Sequence, residues 1–222
     1  MTMIALALSP DFCIVAADKA VGRRTSNGKV VTQEKAVKIN YSTNSPMPYV
    51  ATAAGYSLAV DLVPEFASAH SIKTPADIVQ LGIYLAKTMK QTIAHSEWVN
   101  EHTSTYMIAI TEQNELFVRG FYLNDETVLL NGCNPTLSQV AAGFEEPQKS
   151  YWEHRLTTAM NPLYEVRTPL QRLNDALSVM REAFAVCAST DEYVSPEFDY
   201  CVITAADRRI AFNSTPFGSI FG

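Results

Sequence analysis

The chain contains 222 residues, 47% of them hydrophobic and 18% charged, and its formal net charge is -6. A chain of this length and composition can bury one substantial core, so we expect a single domain over residues 1–222. The net negative charge and the lack of any Lys/Arg run longer than a pair argue against nucleic acid and membranes as partners.

The first predicted element is an apolar hairpin. Residues 3–8 and 12–17 form two apolar runs separated by Ser-Pro-Asp, which predicts paired strands buried on both faces. Arms of equal length return the chain to its start, so Asp18 is expected beside Thr2. The opening run has no basic leader and falls short of the ~20 apolar residues of a membrane span, so we predict a cytoplasmic protein.

The next predicted elements are a second hairpin, a strand and two helices. The Asn-Gly pair at 27–28 marks a hairpin tip, and "YVATAAG" predicts a strand that ends at Gly55. Apolar residues recur at helical spacing from residue 58 onward, although Pro64 predicts a kink or a break there. A Thr-Pro pair at 74–75 then begins the second helix.

The second half of the chain returns to strands before a long helix. Residues 105–132 alternate as an antiparallel meander, and a short helix is predicted near residues 136–144. The polar segment 145–167 has the composition of an insertion. A Thr-Pro pair at 168–169 begins the helix with the clearest apolar stripe. A closing hairpin leaves a tail at 213–222 whose apolar residues need either a groove or a neighbouring subunit.

The order of these elements predicts the fold class. Strands, two helices, strands, helices and strands follow one another, with no internal repeat or linker to divide them. Strands that are apolar on both faces must be covered on each side, and the helices are grouped to cover them. We therefore predict an α+β fold, a four-layer αββα sandwich of two stacked antiparallel sheets between helical layers.

The start of the chain is also the candidate active site. Removal of Met1, which a small second residue favours, would make Thr2 the first residue. Its hydroxyl would then be the nucleophile, and its α-amine, with a pKa of ~7.7–8.0, would be the base that accepts the hydroxyl proton. A nearby ammonium would lower the cost of forming the alkoxide, and Asp18 would hold that lysine in place.

These residues resemble a proteasome β-type subunit of the N-terminal nucleophile hydrolase superfamily. The segment from Thr2 to Asp18 matches the family's opening Thr, strand, turn and "AAD". "EKAVKIN" resembles the segment that carries the family's active-site lysine, which maps onto Lys38. "ATAAG" resembles the turn whose glycine amide forms the oxyanion hole, which maps onto Gly55. "DEYVSPEFDYCVIT" resembles the late acidic motif, so the acid that fixes the amino-terminal Thr maps onto Asp191.

The sequence also departs from the family pattern. Extra residues before Lys38 make Lys35 a competitor for the lysine role. The family's Gly-Ser-Gly turn is replaced around "NGCNP", and its later serine falls on Val194, with Ser195 one place away. The length of segment 145–167 makes the chain more similar to the longer bacterial homologues, such as Anbu or the proteobacterial proteasome homologue, than to the compact HslV type.

The resemblance implies an N-terminal threonine peptidase that cleaves peptides or unfolded proteins inside a homo-oligomeric ring or helical stack, and it leaves room for an unfoldase partner. No metal or organic cofactor is expected, because the four Cys and four His residues show no ligand spacing. Two alternatives stay open. One is a catalytically inactive proteasome-like assembly protein, and the other is an amidohydrolase or transpeptidase that uses the same nucleophile.

Overall fold

The structure is a computed structural model. It describes residues 2–24, 30–56, 58–93, 103–110, 113–123, 127–130, 138–141, 144, 146–162 and 167–217. In chain order its elements are β1 (Ile4–Leu8), β2 (Phe12–Asp18), β3 (Ala20–Arg24), β4 (Val30–Lys35), β5 (Ile39–Ser42), β6 (Tyr49–Ala54), α1 (Leu58–His70), α2 (Pro75–Thr92), β7 (Thr103–Ile110), β8 (Leu116–Leu123), β9 (Thr127–Leu130), β10 (Ser138–Ala141), α3 (Gln148–Met160), α4 (Pro169–Thr190), β11 (Phe198–Thr204) and β12 (Ile210–Phe212).

The strands form two five-stranded sheets and one separate hairpin. The first sheet has the order β10-β1-β2-β11-β12, the second has the order β5-β6-β7-β8-β9, and every neighbouring pair is antiparallel. Among the strands that the structure describes, β3 and β4 pair only with each other, and the predicted tip at 27–28 lies outside the described residues.

Three apolar clusters hold the four layers together. The middle cluster lies between the sheets and includes Leu6, Val15, Val50 and Ile203. One outer cluster joins α3 and α4 to the first sheet, and the other joins α1 and α2 to the second. Every residue of β1 and β2 is buried because both faces of these strands are covered. The predicted αββα sandwich is therefore confirmed.

Helix α4 begins where the sequence predicts. Thr168 caps the helix by accepting a hydrogen bond from Gln171 N. The Thr168 amide in turn donates to Gln171 Oε1 at 2.8 Å, and Pro169 lies in the first turn of the helix. Helix α1, in contrast, is not broken at Pro64. Val63 and Phe66 pack into the core on either side of the proline, and we attribute the continuity of the helix to this packing.

The prediction of a helix near residues 136–144 is wrong for the central part of that segment. Residues Ser138–Ala141 form β10, which pairs with β1 so that Ile4 faces Ala141. This pairing is long-range and satisfies the backbone at the edge of β1, which a local pattern cannot reveal.

Much of segment 145–167 folds as α3. Its buried face consists of Trp152, Leu156, Ala159 and Met160, which all belong to the outer cluster with α4. Of the apolar residues in the tail, Phe217 packs against Phe12 of the same chain, with ring centroids 5.4 Å apart. Residues 218–222 lie outside the described part of the chain. Among the described helices, none combines the length and the apolarity that a membrane crossing requires.

We expect Leu156→Ala to lower the free energy of unfolding by about 2–4 kcal/mol, because Leu156 is fully buried and its removal leaves a cavity. His154→Ala, an exposed position on the same helix, is the control and should change it by less than about 0.5 kcal/mol. Urea unfolding of both variants measures the difference. Equal stabilities would mean that α3 is dispensable for the core.

Candidate active site

The β1–β2 hairpin brings the start of the chain to Asp18, as predicted. Ile4 pairs with Ala17, and the Asp18 amide donates to the Met3 carbonyl at 3.0 Å. Thr2, which precedes Met3, therefore lies at the open end of the hairpin beside Asp18. Both residues are buried, Thr2 with 8% of its surface exposed and Asp18 with none.

Asp18 is held as a fully engaged carboxylate. Its Oδ1 accepts from the Met3 amide at 3.0 Å and from Lys38 Nζ at 2.8 Å. Its Oδ2 accepts from the Ala20 amide at 2.9 Å and from the Ser195 amide at 3.3 Å. A buried carboxylate with four donors, one of them an ammonium, is fixed in one orientation.

Lys38 reaches the candidate nucleophile. Its Nζ donates to Thr2 Oγ1 at 3.2 Å while it pairs with Asp18, and only 8% of the Lys38 side chain is exposed. Burial lowers the pKa of Lys38 below its usual 10.5, and the charge and hydrogen bond of Asp18 oppose that shift. The competitor Lys35 is 67% exposed and pairs with Glu197 at the surface. The geometry therefore favours Lys38 over Lys35 as the lysine that acts on the Thr2 hydroxyl.

The backbone of Lys38 is tied to the second sheet. Thr52 Oγ1, on β6, donates to the Lys38 carbonyl at 2.8 Å, and Ile39 pairs with Thr52 at the start of β5. Strand β6 then continues to Gly55, which has a φ of 101° and is exposed. Gly55 thus follows the end of β6 that lies beside Lys38, in a conformation that favours glycine.

Asp191 does not contact Thr2 through any hydrogen bond of the described residues. It ends α4, its Oδ1 accepts from the Tyr193 amide at 2.9 Å, and its Oδ2 is buried with no hydrogen-bond partner in the described part of the chain. Burial, followed by the negative charges of Asp191 and Asp18, raises the pKa of the Cys187 thiol to about 11.

Sequence reasoning missed the part that Ser195 plays. Its amide donates to Asp18, its Oγ accepts from the Lys19 amide at 2.9 Å, and the same hydroxyl donates to the Glu197 carbonyl at 2.6 Å. The signal was present, because Ser195 stands one place away from the serine of the family pattern. The other doubtful motif, "NGCNP" at 131–135, lies outside the described residues.

A second ion pair borders this site. Lys19 Nζ pairs with Asp199 Oδ1 at 2.9 Å, and Asn213 Nδ2 donates to the same oxygen at 2.8 Å. Lys19 has no hydrogen bond to Thr2 among the described contacts. Of the His, Cys, Asp and Glu residues that the structure describes, no three or more are grouped to hold a metal ion.

Comparison with known proteins identifies the fold. Neither a protein-family model nor a curated protein sequence matches the chain. Solved structures do. The helical assembly of the Anbu complex from Pseudomonas aeruginosa superposes with a TM-score of 0.60 at 11% identity, covering 98% of this chain and 89% of that chain. Anbu carrying the Gly-1 mutation, from Hyphomicrobium sp. strain MC1, gives 0.59 at 11% identity, with 97% and 88% covered.

HslV from Trypanosoma brucei gives a TM-score of 0.51 at 12% identity, covering 91% of this chain and 99% of that chain. The chain therefore has the fold of the proteasome-like N-terminal nucleophile hydrolases. Within that class its structural neighbours include Anbu and HslV, and the likeness extends over most of the chain.

Proposed function

We propose that this protein is a proteasome-like N-terminal threonine peptidase that cleaves peptide bonds within a homo-oligomeric assembly. The observation that carries the proposal is the buried row of Thr2, Lys38 and Asp18, in which Lys38 Nζ lies 3.2 Å from Thr2 Oγ1 and 2.8 Å from Asp18 Oδ1. A buried ammonium beside a threonine hydroxyl stabilises the alkoxide that attacks a carbonyl.

The first half-reaction forms an ester on Thr2. Once Met1 is removed, the Thr2 amine accepts the Oγ1 proton, directly or through a water, as Oγ1 attacks the peptide carbonyl. The Gly55 amide donates to the oxyanion, and Lys38 stays protonated and stabilises the developing charge on Oγ1. The Thr2 amine then passes its proton to the leaving amine, the peptide C–N bond breaks, and an acyl-enzyme ester remains.

The second half-reaction returns the enzyme to its starting state. Water takes the place of the departed amine and loses a proton to the Thr2 amine as it attacks the ester carbonyl. Collapse of this intermediate breaks the ester bond, returns the proton to Oγ1 and releases the acid. Asp18 orients Lys38 in both halves. We assign the orientation of the Thr2 amine to Asp191, whose buried Oδ2 has no hydrogen-bond partner among the described residues.

The assembly part of the proposal is supported by the neighbour that forms a helical assembly of the Anbu complex. We propose that this chain likewise self-associates into a ring or helical stack, so that access to an inner cavity limits which peptides or unfolded proteins reach Thr2. An unfoldase partner and a cytoplasmic location are part of the same proposal.

The proposal is tested by making the Thr2 amine free or blocked. One preparation has Met1 removed, and a second carries an extra N-terminal residue that is not removed, each verified by intact mass. Both are incubated with a peptide vinyl sulfone. We expect one adduct per chain, mapped to Thr2, only where the amine is free, because the blocked chain has lost its base.

Two results would contradict this proposal. Equal labelling of both preparations would mean that the Thr2 amine is not the base. No labelling and no peptide cleavage by assembled protein with a free Thr2 would favour the inactive assembly protein. The masses of the products of a cleaved peptide distinguish hydrolysis from transfer to another amine.

A further inference from the structure

The turn after β6 is held by a buried threonine on the neighbouring strand. Thr103 begins β7 with none of its surface exposed, and its Oγ1 accepts a hydrogen bond from the Tyr56 amide at 3.2 Å. One residue further along, Ser104 pairs with Ala54, the last residue of β6. The chain is therefore fixed on both sides of Gly55, at Ala54 by the sheet and at Tyr56 by the Thr103 hydroxyl.

This arrangement limits how far the Gly55 amide can turn. A glycine at φ 101° has wide conformational freedom, so its own backbone does not restrict where its amide points. The peptide between Gly55 and Tyr56 is planar, and fixing its N–H fixes the plane of that peptide. The Tyr56 amide is committed to Thr103, and the peptide that carries the Gly55 amide is held between that contact and the end of β6.

We propose that Thr103 is a positioning residue for the oxyanion donor Gly55, an inference that rests on the peptidase function proposed above. Thr103 does not touch the substrate. Its hydroxyl holds the Gly55–Tyr56 peptide while the sheet holds Ala54, and together these limit rotation of the Ala54–Gly55 peptide, so that the Gly55 amide stays directed at the position where negative charge develops. Electrostatic stabilisation of this kind depends on donors that are already in place when the reaction begins.

The chain provides a matched control on the same strand. Thr105 lies two positions along β7, is also fully buried, and its Oγ1 has no hydrogen-bond partner among the described residues. Thr103→Val and Thr105→Val therefore make the same chemical change in similar surroundings, but only the first removes a hydrogen bond to the turn. Thr103→Ser keeps the hydroxyl and is the rescue variant.

The experiment measures kcat and KM for peptide cleavage in the assembled protein and amide exchange at Tyr56 in each variant. We expect Thr103→Val to lower kcat by about 10- to 100-fold with KM nearly unchanged, since a misplaced donor affects the transition state more than the bound substrate. Thr103→Ser should restore most of kcat, and Thr105→Val should resemble the wild type. The Tyr56 amide should exchange faster only in Thr103→Val.

Failure of this inference differs from failure of the proposed function. If the wild type cleaves peptides and Thr103→Val does so equally well, or if Thr105→Val loses as much, the inference is overturned while the peptidase remains. If the wild type with a free Thr2 cleaves nothing, the peptidase fails, and Gly55 then has no oxyanion to stabilise, so the inference fails with it. Faster Tyr56 exchange in that case would report only a structural hydrogen bond.

Discussion

Thr2→Ala is expected to reduce peptide cleavage by at least about 10⁴-fold, because it removes the nucleophile while leaving the amine, Lys38 and Gly55 in place. The substitution is small and removes one hydroxyl that Lys38 contacts at 3.2 Å, so the assembled state should persist. Steady-state cleavage of a fluorogenic peptide measures the loss of activity, and the sedimentation profile measures whether the assembled state persists.

Thr2→Ser is the matched control for this variant. It keeps a hydroxyl and an α-amine in the same residue, so acyl-enzyme formation should continue at a reduced but measurable rate. Both variants must be confirmed by mass to begin at residue 2. If Thr2→Ala cleaves as fast as Thr2→Ser, the nucleophile is another group and the mechanism proposed here is wrong.

Lys38→Met is expected to lower kcat by about 10²–10³-fold, the loss that follows removal of one preorganised group at a developing charge. It should also lower the free energy of unfolding by about 3–5 kcal/mol, because Asp18 is completely buried and would keep only its backbone donors. Peptide cleavage and urea unfolding on the same preparation separate the two effects.

Lys19→Met is the control that makes this result specific. Lys19 also pairs with a buried carboxylate, Asp199, at 2.9 Å, and the substitution removes the same charge only a short distance along the chain. It should lower the free energy of unfolding, because Asp199 loses its ammonium, but it should leave most of kcat, because none of the described hydrogen bonds joins Lys19 to Thr2. Equal loss of kcat in both variants would mean that the general positive charge matters and the Lys38 contact does not.

The lowered pKa of Lys38 gives this prediction a pH dependence with a definite sign. The folded protein binds fewer protons than the unfolded chain between the lowered pKa and the usual value of 10.5. The free energy of unfolding contributed by Lys38 therefore rises with pH across that interval and is flat below it. The same slope should be absent from Lys38→Met, which unfolding curves at several pH values would show.

Local sequence patterns predict the hairpin part of the site well. Two apolar arms of equal length, joined by a short turn, fix their own register, and this places Asp18 beside Thr2 without any long-range information. The same reasoning supports the start of α4, where capping and a first-turn proline act over a few residues.

Parts that depend on distant contacts were less predictable. The choice between Lys35 and Lys38 could not be made from spacing, because the β3–β4 hairpin contains a register shift between Val21 and Gly22 that spacing alone does not reveal. The hydrogen bond from Ser195 to Asp18 was not predicted for a similar reason, since it joins residues from opposite ends of the chain. The strand β10 was mistaken for a helix because its pairing partner β1 is also distant in sequence.

The donors around Asp18 also connect the candidate site with the completion of folding. Ala20, Met3 and Lys38 are 2, 15 and 20 residues from Asp18, but Ser195 is separated from it by 177 residues. A chain still emerging from the ribosome lacks Ser195 until most of its residues have been made, so it cannot complete the set of donors around Asp18. The order of synthesis thus delays the complete set of donors until almost the whole chain exists.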